Sequence, residues 1–440
     1  MDKKYYVKIA ITMALINGFV AVQRITIAML MPAIKADMNY SYTKVGMVLS
    51  ITGFLWAFGT IVWASIGDKY GRRPVIVGCT ILAAVFSWLT GTVHSFASML
   101  GIRGTLGFFE GGPWGPMVAT VTEESPPEKR GLLVSLIPAG SMIIGGVLAP
   151  IAAAWLMGAF HSWRPVFYVI SIPGIITGII CALVMHEPAS VAEGIKARRA
   201  GQKRIVYQEG YKVKVSDVLK YKNVIVSAVN SIPVMAWLWV YSGFTALFLT
   251  KIHGMGMSGI GLVMSASGLG GFIGMTGVGR LSDRIGRKPS IILAAFLSLI
   301  TGLAIVATPV GTSVAGFAIL YFFWGMFGGA TLPIYLGLMP SESVPPAFAG
   351  TAVAVPTTVG EIIGASIMPT IGGILADKFG LYAPMLMASI TGLVIIVVSM
   401  MYVETAPRKV ARMKIKPTHD DHLLWPFRGK EPMVTVSPRA

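Results

Sequence analysis

Charged residues are scarce in this 440-residue chain: Asp, Glu, Lys and Arg make up 12% of it, against 54% hydrophobic residues. A water-soluble domain carries roughly 25% charged residues, so this composition excludes a soluble globule. Cysteine is nearly absent. Cys79 and Cys181 both fall in apolar runs, where a thiol packs as a small apolar group, and imply neither a disulfide nor a metal site. The chain also lacks a P-loop, a nucleophile–base pattern and a convincing metal cluster, so no enzyme and no cofactor is expected. The HDDH stretch at 419–422 belongs to a basic, proline-containing tail, 404–440, read as a disordered extension.

What is abundant is apolar sequence, with a mean hydropathy of +0.71. Apolar runs long enough to cross a bilayer recur at 8–31, 44–66, 75–95, 97–121, 132–157, 164–186, 224–250, 259–280, 289–308, 312–338, 349–374 and 380–403. The expectation is an all-α integral membrane protein with twelve transmembrane helices. The first run is too long and uninterrupted for a cleaved signal peptide.

The net charge of +17 suggests nucleic acid, but its distribution points to a membrane instead. With the N-terminus inside, 29 of the 36 Lys and Arg fall in inward-side segments, leaving Lys35, Lys44, Arg164, Lys251 and Lys378 outside and Arg24 and Arg103 within spans. This asymmetry places both termini in the cytoplasm, in a cell inner membrane. Residues 187–223 are polar and basic, and read as a cytoplasmic linker between a bundle of six helices at 1–186 and another at 224–403.

The halves resemble each other. GDKYGRRP (67–74) follows the second span and GRLSDRIGRKP (279–289) the eighth, so that Asp68, Gly71, Arg72 and Pro74 align with Asp283, Gly286, Arg287 and Pro289. ESPPEKRG (124–131) and SVPPAFAG (343–350) echo each other after spans four and ten. Such repeats indicate a duplicated six-helix unit. Over residues 1 to about 405 the chain resembles the major facilitator superfamily; Ala64 stands where the second copy has the family's leading Gly279. The resemblance implies two six-helix bundles working by alternating access, with Asp68, Arg72, Asp283 and Arg287 in cytoplasmic latches. The chemistry suits a latch, since an aspartate near a helix end accepts backbone N–H groups and pairs with arginine.

An ionisable residue in hydrocarbon is costly, so each one inside a span is a candidate for function. Of 19 acidic residues only Glu110 and Glu361 fall within spans. A carboxyl whose arginine partner or water access changes between conformations takes up and releases a proton in step with them. Arg103 and Glu110 are seven residues apart, on one helix face but about 10 Å apart along the axis, too far for an ideal direct pair. Arg24 sits in the outer half of span one, either snorkelling or offering its fork to a carboxylate. An arginine in span one with R-x6-E in span four resembles the anion:cation symporter branch. That resemblance implies that Arg24 holds a substrate carboxylate, Glu110 carries a proton and Arg103 modulates it, with Glu361 as a second coupling candidate. Gln23 stands where some proton symporters of the branch have an acid; it can bind substrate but cannot titrate. In span seven, Asn230, Trp237 and Tyr241 are candidate substrate contacts, Phe244 shares the helical spacing, and packing competes for each.

The expected function is import of a small organic anion, such as a sugar acid or aromatic acid, with protons. A single cation favours a monocarboxylate. The partners are that anion, protons and the bilayer, with no nucleic acid and a monomeric state. A facilitator, an anion exchanger and an exporter remain alternatives of the same fold; a metabolite-sensing receptor without net transport is the alternative from another class.

Overall fold

The computed structural model describes residues 5–126, 129–199, 214–345, 348–411, 413 and 422–424, which are almost entirely helical. In chain order the crossings are α1 (Tyr5–Asp37), α2 (Tyr42–Tyr70), α3 (Arg72–Thr90), α4 (Phe96–Gly111, then Trp114–Glu124), α5 (Leu132–Phe160) and α6 (Trp163–Val184). The second half follows as α7 (Lys222–Lys251), α8 (Met257–Ile285), α9 (Arg287–Val306), α10 (Val314–Glu342), α11 (Ala349–Phe379) and α12 (Tyr382–Ser399). Among the described residues eleven of these are long and apolar enough to span. The twelfth, α4, is interrupted at Gly112–Pro113, where proline brings no N–H to the helical ladder. α1 has 33 residues, about 50 Å of helix, and so tilts or projects beyond a hydrocarbon core of about 30 Å.

The side chains facing outward are apolar. Leu183, Trp155 and Leu132 are 78%, 71% and 68% exposed, a surface suited to lipid. This is a multi-pass membrane protein. Its helices approach closely through small residues. A Cβ on Gly107 or Gly111 of α4 would overlap the α2 carbonyls of Thr52 or Trp56, and one on Gly270 or Gly274 of α8 would overlap the α10 carbonyls of Phe322 or Met326. The α2–α4 contact of one half therefore recurs as α8–α10 in the other. Gly71 (φ +124°) and Gly286 (φ +109°) make the sharp turns into α3 and α9, which a side chain would strain.

The described linker includes a helix at Ala189–Arg199. The tail departs from the expected disorder where it is described: Pro407–Ala411 is helical, and the Leu424 N–H donates to the Lys220 carbonyl at 2.8 Å. Of the HDDH stretch, 419–421 lie outside the described residues.

The core has a polarity. On the face remote from the chain ends, one apolar cluster crosses between the halves, joining Met31, Val45 and Trp163 to Phe248, Phe317 and Met385. On the chain-end side each half has its own cluster, around Ile9 and Val121 in one and around Val278 and Ile395 in the other. Polar contacts follow suit. The Asp377 carboxylate of α11 caps α2, accepting from the N–H groups of Tyr42 (2.9 Å) and Thr43 (2.8 Å) and from the Thr43 hydroxyl (2.6 Å). Ser265 of α8 donates to the Val147 carbonyl of α5 at 2.7 Å, and Thr370 donates to Ser50. The remote face is thus sealed.

Removing this cross-half cap by Asp377→Ala is expected to loosen the seal by about 0.5–2 kcal/mol, the cost of losing an exposed helix cap. Thiol labelling of a cysteine placed at Val48, buried in the seam, should then accelerate. An unchanged rate would show that the cap does not hold the face shut.

Candidate functional site

A cavity of about 320 Å³ lies between the halves, below the seal. Arg24, Trp56 and Trp114 line it from the first half, and Trp237, Trp239, Tyr241 and Glu361 from the second. Two of these positions depend on irregular backbone. Trp114 opens the second segment of α4 after its break. Glu361 sits in a π-helical turn, Gly360–Ala365, where the Ser366 hydroxyl donates to the Glu361 carbonyl at 2.6 Å. Such wide turns re-aim side chains and recur at functional sites. Tyr241 stacks on Trp237 one turn away (5.7 Å), stands edge-on to Trp324 (4.5 Å), and hydrogen-bonds Ser267. Gly328 makes room for the Trp237 ring.

Arg24 is neither snorkelling nor free. Its Nε donates to Glu110 Oε2 at 2.8 Å, with the Glu110 side chain fully buried. Its guanidinium lies 5.0 Å from the Trp56 ring and 5.0 Å from the Trp239 ring, a cation held between two π faces, one from each half. The pair is incomplete as a fork. Arg24 Nη2 and Glu110 Oε1 are buried with no hydrogen-bond partner among the described residues. Arg103 is 1% exposed, which removes snorkelling, and its Nε and Nη1 also lack partners. It sits within electrostatic reach of Glu110 and Arg24 without lining the cavity.

Two expected substrate contacts fall elsewhere. Gln23 is buried and turned towards Gly174 of α6, because neighbours on a helix point about 100° apart and Arg24 takes the cavity side. Asn230 lies nearer the start of α7, where its Nδ2 donates to Ser399 of α12 at 2.8 Å. Phe244 is likewise packed away from the cavity, against Gly372 of α11. Trp56 and Trp239 had no sequence signal beyond being aromatic, since nothing in the spacing shows which ring meets Arg24.

The paired loops form matching clusters, each within its own half. Arg72 donates to Glu123 at 2.8 Å, with Asp68 at 3.7 Å. Arg287 pairs with Asp283 at 2.8 Å and grips Glu342 through both Nη2 (2.8 Å) and Nε (3.2 Å). The backbone N–H groups expected to cap onto the aspartates go instead to Glu187, at Arg72 (2.6 Å) and Arg73 (3.0 Å), and to Glu404, at Arg287 (2.8 Å) and Lys288 (3.2 Å). A carboxylate at a helix N-terminus satisfies orphan donors and the helix dipole together. Glu123 and Glu342 each precede a Pro-Pro pair by three residues, a shared spacing that could have revealed them.

The sequence pattern of the Major Facilitator Superfamily matches residues 13–365. The chain belongs to that family. A Cupriavidus pinatubonensis protein named "Probable 4-methylmuconolactone transporter" is 24% identical over 80% of this chain and 79% of its own length. The "Cis,cis-muconate transport protein" of Acinetobacter baylyi is 25% identical, over 78% and 81%. Among solved structures, a bacterial homologue of the human lysosomal transporter Spinster, inward-facing and unoccupied, superposes with a TM-score of 0.73 at 17% identity, covering 91% of this chain and 98% of that one. The protein is a transporter, and the likeness to that structure shows its two-bundle fold.

Burying Arg24 without a counter-charge is expensive. Glu110→Leu is therefore expected to lower stability by roughly 3 kcal/mol, and Arg24→Leu combined with Glu110→Leu to recover most of it. Thermal unfolding of the wild type, Glu110→Leu, Arg24→Leu and the double variant in detergent tests this; additive losses would mean that the two side chains do not stabilise each other.

Proposed function

We propose that this protein is a proton-coupled importer of a small organic anion, a monocarboxylate, by alternating access. The observation that carries the reading is the half-made fork at Arg24: one guanidinium edge on Glu110, one Nη2 without a partner, beside a closed-ended cavity. A carboxylate is the partner whose geometry completes such a fork. Relatives named for 4-methylmuconolactone and for cis,cis-muconate support organic-acid cargo.

In the proposed cycle Glu110 takes up a proton, releases Arg24, and the substrate carboxylate takes its place. Arg24, Arg103, Glu110 and Glu361 formally sum to zero charge, so adding one monoanion with one proton keeps the buried set neutral. Either ligand alone leaves a net charge that must cross hydrocarbon, and this couples the two fluxes. Arg103 tunes Glu110 from behind, out of contact with cargo. Both termini and the linker at 187–223 lie in the cytoplasm, in the inner membrane, so the cavity faces inward here. The Asp68–Arg72 and Asp283–Arg287 clusters serve as latches when that face closes, with bundles at 1–186 and 224–403 rocking as units. The protein works as a monomer.

In proteoliposomes an inward pH gradient is expected to drive accumulation of a carboxylate by the wild-type protein. Glu110→Gln should lose that accumulation while retaining exchange between labelled and unlabelled substrate, and Arg24→Ala should lose binding. Concentrative uptake unchanged in Glu110→Gln would remove the proton from that site.

A further inference from the structure

The second half of the chain contributes one acidic side chain to the cavity, Glu361, and its surroundings are unusual. The residue is 7% exposed, and its Oε2 has no hydrogen-bond partner among the described residues. Its position is held rigidly: the π-helical turn packs on α7, where a Cβ on Gly360 would come within 2.9 Å of the Ser231 Cβ and one on Gly364 within 2.7 Å of the Ile232 carbonyl. Two indole donors in the same wall, Trp237 Nε1 and Trp239 Nε1, are also buried without partners. Thr357, one turn earlier on α11, also lines the cavity but donates its hydroxyl to the Val353 carbonyl at 2.9 Å, and Met235, Leu332 and Leu336 add apolar wall. A carboxyl oxygen and indole N–H groups left unmatched in a cavity are matched by water or by ligand. A ligand that displaces the water without replacing its hydrogen bonds loses affinity.

We propose that Glu361 is a specificity-determining residue, selecting cargo that carries a hydrogen-bond donor, a hydroxyl or an ammonium, at the end remote from its carboxylate. This rests on the proposed function, because it takes the carboxylate end to lie on Arg24. The two charged groups stand on opposite halves and within electrostatic reach of each other, so one ligand can engage both. Such a ligand bridges the halves: its anionic end is read by α1 and its donor end by α11, with the Trp237 and Tyr241 rings along the apolar middle. A hydroxyl can also accept from the indole N–H groups, and an ammonium, which makes the cargo a zwitterion and takes the place of the proton in the charge balance, is favoured by the neighbouring aromatic faces. A site built around a buried polar group discriminates strongly against an analogue that leaves the group unpaired.

Three probes of one shape test it: para-methylbenzoate, para-hydroxymethylbenzoate and para-aminomethylbenzoate, with affinities measured on the purified full-length transporter in nanodiscs. At least one of the two donor-bearing acids is expected to bind the wild-type protein about tenfold or more tighter than the methyl acid, and which one does so distinguishes hydroxyl from ammonium. Glu361→Leu should erase that advantage, so that the donor-bearing acids no longer bind tighter than the methyl acid. Glu361→Gln, which keeps an acceptor but no charge, should preserve an advantage for the hydroxyl and lose one for the ammonium. Equal affinities of all three acids for the wild type, or a donor preference that survives Glu361→Leu, would overturn the assignment. So would a Glu361→Gln protein altered only in its proton dependence. The carboxylate reading fails separately: Arg24→Ala would then bind all three as the wild type does, whatever Glu361 does to their ranking. Absence of binding by the wild type to any of the three would overturn both.

Discussion

The structure is organised around the cost of holding charge in hydrocarbon. Arg24 and Glu110 meet at 2.8 Å deep in the first half, and two tryptophans cover the faces of the guanidinium. Each part of that arrangement depends on backbone placed to receive it. Glu110 reaches α1 because α4 lies against α2 through Gly107 and Gly111, and the break at Gly112–Pro113 follows directly. Trp239 reaches Arg24 because the sealed face brings α7 up to α1. The ion pair is therefore a contact within one half and, through the indole, a contact between halves.

That duality links chemistry to motion. Alternating access needs elements with two arrangements that a ligand can bias, and a ligand shifts an equilibrium only by its differential affinity for the two states. In the proposed cycle Arg24 is the local element of this kind, because its Nη2 is unmatched among the described residues and open to a ligand. The far face supplies the other half of the requirement. There the halves are joined by the Asp377 cap and by apolar packing, whereas at the chain ends, among the described residues, the apolar clusters lie within one half each. The Glu123–Arg72 and Glu342–Arg287 pairs tie the loop ends together within each half.

The two halves share a frame and differ in what they place in the cavity. The frame repeats in detail: glycine-mediated α2–α4 and α8–α10 contacts, positive-φ glycines at 71 and 286, and carboxylates at 187 and 404 on the starts of α3 and α9. The first half supplies Arg24, backed by Glu110, with Trp56 and Trp114; the second supplies Glu361 and its own set of aromatic rings. Duplication explains the scaffold, and divergence of a few inward-facing positions explains a cavity with unlike walls.

The amino-acid sequence alone determined the crossings, the duplication and the family, because these rest on local composition and on repeated motifs that survive without coordinates. It also singled out Arg24, Arg103, Glu110 and Glu361, since an ionisable residue in an apolar run is conspicuous whatever surrounds it. Tertiary structure decided who meets whom. Gln23 and Asn230 look as suitable as Arg24 and Tyr241 in the sequence, yet one faces α6 and the other α12, because the azimuth of a side chain depends on where neighbouring helices stand. Trp56 and Trp239 were invisible as partners of Arg24 for the same reason. The π-helical turn that fixes Glu361 and the transfer of helix capping from Asp68 and Asp283 to Glu187 and Glu404 arise from contacts between residues far apart in the chain, which hydropathy and spacing do not encode.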